Sequence, residues 1–492
     1  MTTEILRTDF GTEFRALEGE NNRPFVGPAA LQAVLNVGQY LAVVLMLVLL
    51  SGPVRAHGGS LGGSAMRSAS IPTWLTIVTG GAIVAGSFLF TSLLTDDEAV
   101  RSVNARSLLL PLPDRERLGS GLESLGRAVG VLLLLLVVYR GFVGAATPRQ
   151  NAAILVVWVG WWAGYSMTTY LIGNTWPVLN PWRTIASWIP SLGRGVPNRF
   201  GKWPAVVGLL VLVYIEVFAP LASDSQLLAI TVLAYTTVTM IGAGVVGVDE
   251  WFERVDPLSA VYRTYGRMAP FHRTEAGIEF RIPGARLTEM QDAESTDGVA
   301  LIIALLWATS YDGIVSTAAW NSVARFFGTL GIPPFLIYFL ALVTGFLVFL
   351  GAYRWAAANA RSRTETPITE RFIEGWFAPA LVPIAAGYHV AHFLAYFLGL
   401  APALAVALAN PLVPASTGYV LTVPGWFVNV QLSLIILGHV LGVWVAHSLG
   451  LEIFPGKIRA IESQYSFIAV MVFYTMTSLW IITAPYVPPA YL

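Results

Sequence analysis

The stretch from Trp376 to His447 decides the fold, because it holds two long apolar segments with histidines inside them. The first reads W-F-A-P-A-L-V-P-I-A-A-G-Y-H-V-A-H-F-L-A-Y-F-L (376–398), and the second reads W-F-V-N-V-Q-L-S-L-I-I-L-G-H-V-L-G-V-W-V-A-H (426–447). Each segment is long enough for a transmembrane helix, which needs about 20 apolar residues. Four of the six histidines of the chain lie in this stretch. The two segments therefore predict neighbouring membrane helices with titratable groups between them.

The composition extends this interpretation to the whole chain. Hydrophobic residues make up 55% and charged residues only 12%, whereas soluble domains carry about 25% charged residues. The net charge is zero, so no basic field favours nucleic acid. The chain has no cysteine, which excludes disulfides and thiolate metal sites. It also has no P-loop, so we expect no nucleotide cofactor.

Runs of about 20 apolar residues predict an all-α integral membrane protein with 11 transmembrane helices. These runs lie near 28–51, 73–95, 124–144, 151–173, 203–222, 226–248, 298–320, 333–355, 373–399, 425–449 and 466–486. Residues 1–27 would form a cytoplasmic tail. Residues 28–492 would form a single membrane domain, with a small cytoplasmic loop subdomain at 249–296. The lipid bilayer is then the principal partner.

The distribution of Lys and Arg indicates the orientation, since cytoplasmic loops carry an excess of both. With the N-terminus inside, the inner side collects 24 of these residues and the outer side collects 5. This asymmetry predicts an N-terminus inside and a C-terminus outside. Arg outnumbers Lys 27 to 2, which is typical of a GC-rich prokaryotic genome. We therefore expect a multi-pass protein of a prokaryotic plasma membrane.

Ionisable residues inside the apolar segments are the candidates for the functional site, because such groups are costly in hydrocarbon. His389 and His392 are three residues apart and share a helix face. His439 would meet them if the two helices pack antiparallel. Asp312 lies about 15 residues, or roughly 22 Å, into its own segment. We expect these four side chains to converge and His447 to lie apart from them.

Three imidazoles and a carboxylate suit a transition metal such as Zn, Fe or Cu. Haem b is a weaker candidate: Gly387 and Gly438 would allow the two helices to approach closely, but the spacing does not require a haem. The alternative is that each histidine only forms hydrogen bonds between helices. A second metal candidate is His57, which would become an N-terminal copper chelate if the chain were cleaved after Ala56. An uncleaved membrane anchor is the other interpretation of that segment.

Other polar groups and connecting segments receive structural interpretations. Glu216, Arg354 and Glu374 lie near segment ends and can extend to the membrane surface. For Glu216, pairing with another group is the alternative. The Trp-rich segment 174–202 is typical of an anchor in the headgroup layer. Alternation around Pro283 and Gly284 predicts a small hairpin. The apolar connection 400–424 could be a re-entrant half-helix.

Several motifs together resemble a family of uncharacterised polytopic membrane proteins of archaea and actinobacteria. They are L-N-P-W-R-T (179–184), Y-D-G (311–313), L-V-P-I-A-A-G-Y-H-V-A-H (381–392), G-H-V-L-G-V-W-V-A-H (438–447) and S-Q-Y-S-F-I-A-V-M-V-F-Y-T-M-T-S-L-W-I (463–481). The resemblance covers most of the chain after about residue 100. It implies a multi-pass architecture and adds no chemistry.

The sequence leaves three functions open. The first is a membrane protein whose His/Asp site binds a transition metal or a small ligand for transport. The second is a metallo- or haem-oxidoreductase subunit that works with a quinone or another redox partner. The third is a scaffold subunit of a membrane complex, without a ligand of its own. Whether the protein is an enzyme is left undecided by the sequence.

Overall fold

A computed structural model describes residues 72–94, 96–110, 115–274, 276–289, 293–413 and 419–492. The tail predicted at 1–27, the apolar segment 28–51 and His57 lie outside these residues. All described residues belong to one compact unit, Val48–Leu492. The structure is 75% helical with almost no strand, as an all-α membrane protein requires.

Eight helical stretches of the described chain are long and apolar enough to cross a membrane. They are Thr73–Thr91, Ser120–Val143, Ser225–Val246, Thr296–Val315, Pro334–Thr364, Glu370–Ala409, Phe427–Ile453 and Lys457–Thr483. Two more of the predicted segments are helical in a different way. The segment 151–173 combines α-helical and π-helical turns, and the segment 203–222 forms the shorter apolar helix Trp203–Phe218.

The described α-helices in chain order are α1 (Thr73–Thr91), α2 (Asp97–Asn104), α3 (Arg115–Val143), α4 (Ala152–Ile154), α5 (Ser166–Leu171), α6 (Trp176–Leu179), α7 (Pro181–Ala186), α8 (Trp203–Phe218), α9 (Ser225–Val246), α10 (Val248–Glu250), α11 (Pro257–Gly266), α12 (Thr296–Val315), α13 (Ala318–Thr329), α14 (Pro334–Thr364), α15 (Glu370–Phe377), α16 (Val382–Ala409), α17 (Phe427–Ile453), α18 (Lys457–Glu462) and α19 (Tyr465–Thr483). The π-helices are π1 (Leu155–Tyr165) and π2 (Trp251–Val255). Single 3₁₀ turns occur at Pro148–Gln150, Asn198–Phe200, Ala285–Thr288 and Ala378–Leu381.

Helix α12 lies at the centre of the bundle. Its apolar window is 94% buried, by far the highest share among the membrane-crossing stretches of the described chain. A helix that is hydrophobic on all sides must be enclosed by other helices, and α8, α14 and α16 all pack against α12. The polar residues of α12, including Asp312, are therefore held inside protein.

Helices α16 and α17 cross at two glycines. A methyl group added at Gly387 would lie 2.9 Å from Cα of Gly438, and one added at Gly438 would lie 2.5 Å from the carbonyl oxygen of Pro383. Small residues allow membrane helices to approach closely and gain van der Waals contact. Gln431 adds a hydrogen bond across the same pair of helices, from Nε2 to the carbonyl oxygen of Ala391 at 2.6 Å. The expected close approach at these glycines is thus confirmed.

The predicted loop subdomain contains a small sheet with a different hairpin. Strands β1 (Ser107–Leu110), β2 (Phe271–Thr274) and β3 (Gly277–Arg281) form an antiparallel sheet in the order β1-β3-β2. The hairpin turn precedes Gly277, so the hairpin predicted around Pro283 and Gly284 is wrong. The alternating segment does form a strand, β3, but its hairpin partner β2 precedes it in the sequence instead of following it.

Two further interpretations of connecting segments need correction. Within 174–202, Trp176 and Trp182 are buried, and their indole N–H groups donate to Ser259 Oγ at 3.3 Å and Thr236 Oγ1 at 2.8 Å. Only Trp188 is exposed as a surface anchor would be. The predicted re-entrant start at residue 400 is also wrong, because α16 continues through Pro402 to Ala409.

Replacement of Gly438 by Ala is expected to destabilise the protein by about 1–3 kcal/mol, because the added methyl group forces α16 and α17 apart. Gly351→Ala is the matched control, since Gly351 lies inside α14 with open space where a Cβ would be. The free energy of unfolding in detergent micelles measures both effects. Equal stability of the two variants would contradict the close crossing.

Candidate functional site

A polar stripe on α16 faces α12. Tyr388, His392 and Tyr396 follow one another at intervals of four residues and therefore lie on one face of the helix. Opposite them, α12 carries the sequence Tyr311-Asp312-Gly313. A methyl group at Gly313 would lie 2.6 Å from the hydroxyl of Tyr388, so this glycine leaves room for the tyrosine. The stripe and the α12 tripeptide form one contact inside the bundle.

Asp312 and His392 form a buried pair. Nε2 of His392 lies 3.0 Å from Oδ2 of Asp312, and their side chains are only 15% and 10% exposed. In its neutral form the imidazole donates its Nε2–H to the carboxylate, which fixes the tautomer. Nδ1 of His392 is then an acceptor, and it is buried with no hydrogen-bond partner among the described residues. The pair thus offers a positioned carboxylate and a second imidazole nitrogen.

His389 lies in an aromatic box beside this pair. Its Nδ1 is 2.9 Å from the hydroxyl of Tyr170, and its ring is 4.7 Å from Phe393 and 5.8 Å from Tyr265 between centroids. Trp162 approaches from another side, with ring centroids 6.1 Å apart. Nε2 of His389 is buried and has no partner in the part of the chain that the structure describes.

His439 and His447 bond elsewhere. Nδ1 of His439 lies 2.9 Å from the carbonyl oxygen of Ile435, one turn earlier on the same helix. His447 lies 3.3 Å from Gln464 and 2.9 Å from the carbonyl oxygen of Leu94, as expected for a residue apart from the site. Within the described residues, no group of three or more His, Asp or Glu side chains is arranged to hold a metal ion. The four-ligand metal site stays a prediction without a ligand set in the structure.

Unpartnered polar atoms extend the site along α16. The hydroxyl groups of Tyr388 and Tyr396 are buried and have no hydrogen-bond partner among the described residues. Both tyrosines lie within electrostatic reach of Asp312, and Tyr396 is also within reach of Glu216. Buried polar groups are normally hydrogen-bonded, so a cluster of exceptions marks a place for a ligand, an ion or water.

A cavity of about 130 Å³ opens beside Asp312. Four tryptophans line it, Trp158, Trp161, Trp162 and Trp182, and Glu216 and Asp312 are also among its lining residues. None of the described residues on its wall is Lys or Arg. The sequence allowed Glu216 either to reach the membrane surface or to pair, and in the structure it lines the same cavity as Asp312.

The π-helix π1 supplies three of these tryptophans. It extends over Leu155–Tyr165, and π-helical turns are rare and frequent at functional sites. Gly164 brings π1 against α16, since a methyl group there would lie 2.7 Å from the ring of Phe397. Sequence reasoning treated this segment as an ordinary span. The signal was the run W-V-G-W-W-A-G-Y (158–165), which joins large aromatic rings to glycines.

A larger apolar cavity of about 480 Å³ adjoins the first one. Val157, Trp161, Trp182 and Val232 line both cavities. The remaining wall of the larger cavity comes mainly from α3, π1 and α16, and it is almost entirely apolar. The two cavities therefore present an apolar chamber that ends at two carboxyl groups.

One intramembrane ion pair lies apart from this site. Arg354 Nε is 3.2 Å from Glu374 Oε1, and the carboxylate is buried. The sequence placed both residues near helix ends, where they could reach water. The pair joins α14 to α15, and neither residue lines the cavities described above.

Comparisons of this chain with family models, with curated proteins and with solved structures find no match. The family resemblance of the quoted motifs therefore stays an expectation, and the geometry alone bears on function.

Alanine substitutions of Asp312 and His392 are expected to be non-additive by about 1–3 kcal/mol in the free energy of unfolding, because the residues are in contact. Asp312 and His439 are the control pair, and their effects should add to within about 0.5 kcal/mol. A double-mutant cycle with SDS titration measures both couplings. Strong coupling of Asp312 to His439 would instead favour the predicted four-ligand site.

Proposed function

We propose that this protein binds a small, largely apolar organic cation beside Asp312 and carries it through the membrane. The observation that supports this most directly is the wall of the 130 Å³ cavity, where two carboxyl groups meet four indole rings and no described Lys or Arg. Asp312 and Glu216 supply the charge, and the tryptophans supply the apolar contact. The chemical class that matches both is an amine or a quaternary ammonium ion with an apolar body.

Electrostatics favours a cation in this place. A carboxylate in an apolar interior is costly unless a partner compensates it. His392 compensates Asp312 only with a hydrogen bond while the imidazole is neutral, and a cation in the cavity adds an opposite charge. Indole faces attract cations as well, through the negative face of the ring. The carboxyl groups and the indole rings at this cavity would therefore both stabilise a bound cation.

The larger cavity suits the apolar part of such a ligand. Its volume of about 480 Å³ lies in the range of small-molecule sites. A ligand with its charged group at Asp312 would extend past Trp161 and Trp182, which line both cavities. No described Lys or Arg lines the smaller cavity, so an apolar anion finds no opposite charge on this wall.

Protonation of Asp312 would release the bound cation. A proton on Asp312 removes the charge that holds the cation, so protons and the ligand compete for one carboxylate. The unpartnered Nδ1 of His392 can accept a further proton. Exchange of a cation for a proton at this pair couples transport to a proton gradient.

The other functions that the sequence left open have less support. A transition metal lacks a set of three ligands in the described residues. A haem between α16 and α17 has no gap to enter at the level of Gly387 and Gly438, where the helices are in contact. A scaffold role does not explain why buried polar atoms lack partners beside a cavity. A partner subunit is compatible with any of the three functions.

The topology is part of the same proposal. The eight apolar stretches, the mixed helix at 152–171, α8 and the segment 28–51 together make 11 crossings. The 24 to 5 distribution of Lys and Arg supports an N-terminus inside and a C-terminus outside, in a prokaryotic plasma membrane.

The cation proposal predicts a charge-dependent affinity. Benzyltrimethylammonium should bind the purified protein and change its tryptophan fluorescence, whereas the neutral carbon isostere neopentylbenzene should bind more weakly. Asp312→Asn and Glu216→Gln should each weaken binding of the cation by about tenfold or more, as loss of a charged contact implies. Lowering the pH should weaken it in the native protein and much less in Asp312→Asn.

Glu123→Gln is the control for that experiment, since Glu123 pairs with Arg127 on the exposed face of α3, away from the cavity. Equal affinity for the cation and its isostere, or no effect of either cavity variant, would rule out the proposed ligand. Metal analysis and an optical spectrum of the same sample distinguish the alternatives. Stoichiometric metal would favour the metal site, and a Soret band would favour the haem subunit.

The topology predicts on which side of the membrane each of three positions lies. Reporter fusions after Arg273 should report the cytoplasm, and fusions near Thr417 or at Leu492 should report the outside, because the basic loops stay inside. A cytoplasmic signal at Leu492 would contradict the arrangement with 11 crossings.

A further inference from the structure

A second, polar pocket lies outside the membrane helices. Its volume is about 370 Å³, and its wall includes three arginines, Arg263, Arg267 and Arg286, together with His272. These residues come from α11 and the residue that follows it, from the 3₁₀ turn at Ala285–Thr288 and from β2. The basic pocket, as we call it, is separate from the cavity beside Asp312 and shares no lining residue with it.

The carboxylates around the basic pocket compensate its arginines only in part. Arg267 pairs with Glu294, and Arg286 pairs with Glu279 at 2.9 Å. Glu289 on the pocket wall pairs with Arg281. Arg263 instead donates to the carbonyl oxygens of Phe252 and Glu253, both at 2.7 Å, and forms no ion pair within the described residues.

Arg263 has no carboxylate partner among the described residues, and one N–H group of Arg286 has no acceptor there. Burial lowers the pKa of Arg263, which shows that its cation is partly desolvated, although a guanidinium remains protonated at neutral pH. Nε of Arg286 is buried without a hydrogen-bond partner among the described residues. Planar guanidinium groups with spare donors are the preferred partners of phosphate oxygens.

The sheet next to the pocket has two chemically different faces. Leu108, Phe280 and Phe271 stand side by side across the three strands, and all are exposed apolar residues. The next row holds Leu109, Glu279 and His272, whose side chains point to the opposite face. His272 lines the basic pocket, so the exposed row of Leu108, Phe280 and Phe271 lies on the face of the sheet opposite to His272.

We propose that the basic pocket binds a phosphate group. The phosphate has two possible sources, a lipid headgroup and a free phosphate ion or ester. The exposed row of Leu108, Phe280 and Phe271 favours a headgroup, because apolar side chains beside a basic pocket suit the boundary of a bilayer. This site stands independently of the cation proposal.

The test uses the full-length protein in nanodiscs, with its thermal unfolding as the readout. In phosphatidylcholine discs, inorganic phosphate is compared with chloride at equal ionic strength. In a second arm, phosphatidic acid replaces part of the phosphatidylcholine. Stabilisation by phosphatidic acid alone would identify a lipid source, and stabilisation by inorganic phosphate would identify a free one. Stabilisation in neither arm would overturn the proposal.

Substitutions of single arginines test whether the phosphate response comes from the basic pocket. Arg286→Gln should weaken the phosphate response by about tenfold or more in apparent affinity, as expected for loss of a charged donor pair. Arg286→Lys keeps the positive charge but lacks the guanidinium group, so its loss of apparent phosphate affinity should be intermediate. This variant also tests the site if Arg286→Gln fails to fold. Arg273→Gln is the matched control, since Arg273 is exposed on β2 next to His272 and is absent from the pocket wall. An equal loss in Arg273→Gln and Arg286→Gln would show a non-specific charge effect and overturn the site.

Discussion

The hydrogen bond between His392 and Asp312 is the interaction on which the interior of this protein depends. A carboxylate in the most enclosed helix of the bundle must have a partner, because an uncompensated buried charge costs several kcal/mol. That partner must come from α16, so α16 has to approach α12 with its polar stripe turned inward. The contact of Gly387 with Gly438 holds α17 against the opposite side of α16. The position of one carboxylate thus constrains three helices.

The π-helical segment explains how a tightly packed bundle keeps a cavity next to this pair. A π-turn has wider spacing than an α-turn and disturbs the regular stacking of side chains, which is why such turns persist mainly where function uses them. Here π1 directs Trp158, Trp161 and Trp162 toward the space beside Asp312. Small aliphatic side chains there would allow neighbouring helices to close the gap. Large indoles instead act as rigid walls that hold the cavity open and give it a chemical preference.

The helical class of the protein could be predicted from the sequence. Which side chains meet at the site could be predicted only in part. Asp312 and His392 could be placed together because each lies a countable number of residues into its segment. His439 has the right depth as well, but the rotation of a helix about its own axis is set by packing that no residue count contains. The pairing of β1 with β3 could not be predicted from the sequence either, because it joins residues about 170 positions apart.

Helix α11 relates the basic pocket to the membrane interior. Tyr262 and Tyr265 lie on its inner face, where Tyr262 is 4.8 Å from Trp176 and Tyr265 is 5.8 Å from His389 between ring centroids. Arg263 and Arg267 lie on its other side and line the basic pocket. A ligand in that pocket can influence His389 only if it binds differently to two positions of α11, because coupling requires a difference in affinity between states. The tyrosines are fully buried and tightly packed, so any such movement would be a shift of the whole helix with its aromatic neighbours.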